Sequence, residues 1–212
     1  MRRGDWGWVL LTVAGLAACA GSPAPPVRYY QLRVDPPAAA AAAASAAKPT
    51  EASAAQIWQL VSPIHLPDYL DRDALWVAVG SNALQPLDGH RWAEPLRSAV
   101  PRTLAHDLGV LLGGADRVYS GSVPSGVVVA RQLRLDLLEF GPTVDRRAVH
   151  LRARWTASDL QGAAAALVDE AQIEVPSAGS SPEQLVDAHR LALWRLAERM
   201  AQAPPARRPS GS

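Results

Sequence analysis

Leu16-Ala17-Ala18-Cys19 is the segment of this chain with the clearest chemistry. Small residues before a lone cysteine, at the end of an uncharged stretch, match the bacterial lipobox. There the thiol is acylated with a diacylglycerol and cleavage leaves the cysteine as the new N-terminus. The stretch from Trp6 to Ala18 is preceded by Arg2 and Arg3, the layout of a secretory signal peptide. At about 13 residues it is too short to span a bilayer core, which needs roughly 20 apolar residues as a helix. Cys19 is the only cysteine, so an internal disulfide, a four-thiolate metal site and a Cys-x-x-Cys redox pair are all excluded. The competing reading, a plain secreted protein with a stray thiol, leaves that thiol in an oxidising compartment without a use. A diacylglycerol plus an N-acyl chain on Cys19, palmitate among them, supplies the two or more chains that stable anchoring requires.

No second constellation carries chemistry. His65, His90, His106, His150 and His189 show no His-x-His or His-Glu-x-x-His spacing and read as surface or helix-face residues. Asp68, Asp71 and Asp73 lack the glycine and distal glutamate of a calcium loop, and read as a solvated, arginine-paired turn. Serines in Gly121-Ser122-Val123-Pro124-Ser125-Gly126 do not form Gly-x-Ser-x-Gly, and neither a Walker A lysine nor Gly-x-Gly-x-x-Gly occurs. The expectation is a protein with no catalytic residue, no metal and no dissociable cofactor. Lys+Arg 21 against Asp+Glu 20 gives a formal charge of +1, which falls to a balance once Arg2, Arg3 and Asp5 leave with the signal peptide. Nucleic acid is therefore not an expected partner, and membrane attachment must come from lipid.

The elements that would carry these residues follow from composition and period. Residues 1–18 are the signal peptide, 19–28 an acylated tether with three prolines, and 29–203 a single domain followed by a Pro/Arg/Ser tail over 204–212. Residues 36–56, with nine alanines between Ala38 and Ala47, have no large apolar residue with which to dock and read as a solvated insert. Alternation predicts short strands at Arg28–Val34, at Ile57–Leu66 and at Leu75–Val79, with a polar turn at Asp68–Asp73. Leu96, Val100, Leu104, Leu108 and Leu112 form one helical stripe within Trp92–Leu112, and Pro101 should kink that helix or delay its start. Leu133, Leu135 and Leu137, then Val149, Leu151, Ala153 and Trp155, then Leu167, Ala171, Ile173 and Val175 alternate with polar residues, predicting a three-stranded antiparallel meander. Ser181-Pro182-Glu183-Gln184 is a capping box launching a closing helix through Leu185, Ala188, Ala192, Leu196 and Met200. The fold class is α+β, one mainly antiparallel sheet covered by two helices. Trp58 and Trp155 read as core, and Trp92, beside Arg91 and Glu94, as the interface candidate.

Ile64-His65-Leu66-Pro67-Asp68-Tyr69-Leu70-Asp71-Arg72, followed by Arg91-Trp92-Ala93-Glu94-Pro95-Leu96, resembles the ABC-type transport auxiliary lipoproteins, the PqiC-like family. The resemblance extends to Tyr29-Tyr30-Gln31-Leu32, to Phe140 with Ala153 and Trp155, and to Ala188-His189-Arg190-Leu191-Ala192-Leu193. It implies a non-enzymatic accessory of an envelope lipid-transport system, working with an MCE-domain periplasmic protein, a permease and an ATPase. Ala20 stands where enterobacterial lipoproteins retained at the inner membrane carry Asp, which by that resemblance implies the periplasmic face of the outer membrane in a Gram-negative cell. In this reading Pro67, Asp68, Tyr69, Leu70, Asp71, Arg72, Arg91, Trp92 and Glu94 dock the end of the partner assembly, and a homo-oligomer is a further expectation. A lipid-binding carrier enclosing an apolar pocket is the alternative. An envelope hydrolase lacks a nucleophile and base pair.

Overall fold

The computed structural model describes residues 26–37, 40, 56–162 and 165–202. The expected signal peptide, Cys19, the body of the alanine-rich insert and the C-terminal tail lie outside the described residues. Strands β1 (Arg28–Tyr30), β4 (Ala83–Trp92) and β3 (Ala74–Val79) form one sheet in that order, and β5 (Val118–Ser120), β2 (Trp58–Leu60), β6 (Arg131–Pro142), β7 (Ala148–Asp159) and β8 (Leu167–Pro176) form the other. Helix α1 spans Leu96–Leu111 and α2 spans Pro182–Gln202. Both helices pack on one face of the five-stranded sheet and on each other.

The α+β class and the β6-β7-β8 meander are as the alternation requires. Leu133, Leu135 and Leu137 are buried against Val149, Leu151, Ala153 and Trp155, while Arg134 and Arg154 face solvent. A register shift between Leu137 and Glu139 lets Leu137 and Phe140, three apart, both point inward, which a regular strand forbids. The predicted stripe of α1 is buried along its length. The capping box forms as predicted, with Gln184 N donating to Ser181 Oγ and Ser181 N donating to Gln184 Oε1, both at 3.3 Å.

Three expectations are corrected. The mainly antiparallel sheet is divided into two, whose long ladders are antiparallel as expected while β2 runs parallel to both β5 and β6 and β1 runs parallel to β4. Three-residue strands carry too little alternation to announce this. The strand expected over Ile57–Leu66 keeps ladder geometry only at Trp58–Leu60. Its continuation still follows β6, with Val61 N on Leu133 O at 2.9 Å and Leu137 N on His65 O at 2.8 Å. Trp92 ends β4 and does not open α1, which starts at Leu96 after Pro95. Pro101 nevertheless lies inside the helix, where its missing N–H costs the carbonyl of the exposed Arg97 its partner four residues on. β4 itself escaped notice since most of its side chains are exposed and Pro86 and Gly89 interrupt it.

Candidate docking site

The turn at Asp68–Asp73 and the β4–α1 junction, some twenty residues apart in sequence, are neighbours in the fold. The β3–β4 ladder pairs Ala74 with Arg91, and Trp92 N donates to Asp73 O at 2.6 Å. Ion pairs then fasten the two segments together. Arg91 Nη1 donates to Asp73 Oδ2 at 2.6 Å and Arg97 binds both carboxylate oxygens of Asp71, while a third pair, Arg102 with Glu94, braces the junction itself. The arginine-paired turn is therefore as the acidic spacing suggested. Asp73 and its hydrogen bond hold Arg91 charged even more firmly than usual.

Of the residues named from the sequence, Asp68, Arg72 and Arg91 are exposed, and Pro67, Tyr69, Asp71 and Glu94 are half-buried. Leu70 and Trp92 are not on the surface, at 3% and 5% exposure. Trp92 is thus core and not interface. The reason is tertiary: as the last inward residue of β4 it meets the imidazole of His189 edge-on at 5.4 Å, and His189 in turn meets Phe140 at 4.7 Å. His189 is completely buried and its Nδ1–H donates to Leu185 O at 2.7 Å. Burial pushes its pKa down to about 4, so the ring is neutral at pH 7. Trp92, Phe140 and His189 come from three of the separate motifs quoted above. What those motifs share is one aromatic packing cluster.

Two polar devices hold the start of the domain. Arg190 of α2 binds Asp107 of α1 with both guanidinium arms, at 2.6 and 2.8 Å, and gives two further donors to Val34 O at 3.1 Å and Asp35 O at 3.2 Å. Burial raises Asp107 to about 6, opposed by the Arg190 hydrogen bonds and charge. Across β1, the Tyr30 hydroxyl accepts from His90 Nδ1 at 2.8 Å and donates to Glu183 at 3.0 Å, beside Arg28 at 3.3 Å from the same carboxylate. The reading from sequence missed both. A signal existed for the first: Asp107 falls three residues after Leu104 and four after Thr103, squarely on the buried stripe of α1.

Among the described residues no group of His, Cys, Asp and Glu could hold a metal ion, and no helix is long and apolar enough to cross a membrane. The architecture is that of known α+β domains. A crystal structure of an uncharacterized protein superposes with a TM-score of 0.63 at 17% identity, covering 84% of this chain and 97% of that one. A Xanthomonas campestris protein of the DUF330 family superposes with a TM-score of 0.57 at 12% identity, covering 73% and 87%. A comparison with curated proteins finds no match. The family model of the ABC-type transport auxiliary lipoprotein component matches residues 30–201, and the chain belongs to that family. Membership makes this protein a lipoprotein-type auxiliary component of ABC transport and points to a non-enzymatic role.

Proposed function

We propose that the protein is anchored at the periplasmic face of the outer membrane through acylated Cys19. There its domain docks the end of an MCE-domain periplasmic protein belonging to an ABC-type lipid transporter. The observation that carries this reading is family membership over residues 30–201, joined to the ion-paired turn and β4–α1 junction that form one corner. Asp68, Arg72 and Arg91 are the exposed charges of that corner, and Pro67, Tyr69, Asp71 and Glu94 hold its shape; Leu70 and Trp92 support it from below. The lipid-carrier alternative needs an enclosed apolar pocket of some 300–1,000 Å³; the hollow inside the core, lined by Leu75, Trp92, Phe140 and His189, measures about 10 Å³, and the larger hollows are grooves open to solvent.

Brief crosslinking in native membranes, mild detergent and capture of a C-terminally tagged copy test the proposal. An MCE-domain protein in the captured fraction, depleted when Cys19→Ala is used, is the expected result. Recovery of the protein alone with one equivalent of phospholipid overturns it.

A further inference from the structure

Beside Tyr69 of the docking corner a groove of about 630 Å³ runs between the β3–β4 hairpin and the β6–β7 hairpin. It continues into a second hollow of about 520 Å³ that shares Thr143, Val144 and Glu174. Both walls carry apolar side chains. Trp76, Ala78 and Leu84 come from the outer face of the β3–β4 hairpin, where Ala78 and Leu84 are register partners, and Phe140, Pro142 and Val144 come from the opposite hairpin. Leu84 is 46% and Val144 56% exposed. Large exposed aliphatic side chains lining one groove mark a surface that another molecule covers.

Charge narrows the occupant. Glu139 and Glu174 line the groove with His150 as its basic residue, and the second hollow adds Asp145 against Arg147. Glu139 is shared by His150 Nδ1 at 3.0 Å and Arg152 at 3.8 Å, whereas the Glu174 carboxylate has no cationic partner among the described residues. The negative field is felt at Tyr69, whose phenol is raised by burial and by the charge of Glu139. A lipid tail would leave these carboxylates facing hydrocarbon, and an anionic headgroup would be repelled. A protein segment that sets a cation among aliphatic side chains satisfies both walls and acids.

We infer that this groove receives a segment of the transporter's periplasmic protein in which a Lys or Arg, flanked by aliphatic residues, pairs with Glu174 and Glu139 while its neighbours cover Trp76, Leu84 and Val144. The inference rests on the docking reading above and adds a second, separable site to it.

The full-length lipoprotein in native membranes carries a photocrosslinking residue at Leu84, at Val144 or, as comparison, at Arg72. The expected result is a crosslink from Leu84 and Val144 to a Lys- or Arg-bearing segment of the MCE-domain protein, reduced at least fivefold by Glu174→Lys and by Glu139→Lys. Val144→Asp, an exposed position, gives the same loss with an unchanged melting temperature, which separates docking from folding. A crosslink to that protein from Arg72 but none from Leu84 or Val144 overturns the groove and leaves the docking corner standing. Absence of that protein from all three positions overturns both. A groove crosslink to residues 203–212 of this chain or to a second copy overturns the assignment of the occupant.

Discussion

Arg190 and Asp107, 83 residues apart in the chain, meet as a two-pronged ion pair buried between α1 and α2, and the same guanidinium caps the carbonyls of Val34 and Asp35. The segment that follows β1 is thereby fastened to both helices at one point. Both side chains are all but hidden, Asp107 at 0% exposure and Arg190 at 9%. Such a pair is costly to break because the survivor is left charged and desolvated.

Arg190→Ala is expected to lower stability by about 3–5 kcal/mol, and Asp107→Ala by a similar amount. The double variant Asp107→Leu with Arg190→Met, which removes both charges and keeps apolar volume, should recover most of the loss. Denaturant midpoints of the three variants check this, and a double variant as unstable as the single ones would show that the carbonyl caps, and not the pair, supply the stability.

His189 makes stability fall in acid. Its folded pKa of about 4 lies below the ordinary value of 6.5, so the unfolded chain takes up the proton first. The contribution is complete above pH 6.5 and disappears as pH falls toward 4, by about 3 kcal/mol at 1.36 kcal/mol per unit. Asp107 runs the other way, because a carboxyl raised to about 6 by burial is protonated more readily in the folded chain, so its term grows as pH drops from 6 toward its unfolded value. The stability difference between the native chain and His189→Phe, measured at pH 7 and at pH 4, isolates the imidazole. That difference should shift by about 3 kcal/mol in favour of the variant at the lower pH.

Gly109 stands in the interior of α1, where alanine would ordinarily stabilise a helix by about 1 kcal/mol. Here a Cβ would lie 2.9 Å from Ala115 Cα and 3.0 Å from Gly114 O, both main-chain atoms of the turn that returns to β5. Gly109→Ala is therefore expected to destabilise by about 1–3 kcal/mol. Thermal melting decides the sign, and a rise in melting temperature would mean that the turn moves aside freely.

The proposed docking corner separates surface from support. Asp68→Lys combined with Arg72→Glu alters two exposed residues and should change stability by no more than about 0.5 kcal/mol, while capture of the MCE-domain protein falls at least tenfold. Trp92→Ala is expected to cost about 3–5 kcal/mol, so a loss of capture there would report unfolding. Unchanged capture with the charge-reversed pair would remove the corner from the interface.

Local pattern was enough wherever one side of an element is buried along its whole length. The stripe of α1, the capping box of α2 and the alternation of β6, β7 and β8 are each set by residues within a single window, because the hydrophobic effect imposes the period of the element on the apolar positions. The pairing of Asp71 with an arginine could be anticipated for the same reason: a solvated acidic turn attracts cations from whatever lies beside it. The lipobox expected at Cys19 is likewise a purely local signal, and it lies outside the described residues.

Tertiary structure alone decided the rest. Nothing in Ala83–Trp92 distinguishes a strand, since its partners on either side, β1 and β3, supply the ladder and most of its side chains face solvent. The parallel insertion of Trp58–Leu60 between β5 and β6 depends on contacts with residues 60 to 73 positions away, where no periodicity reaches. Trp92 looked like an interface residue because Arg91 and Glu94 flank it. It became core because Phe140 and His189 close over it, and an aromatic ring is buried or exposed according to what the distant chain brings to it.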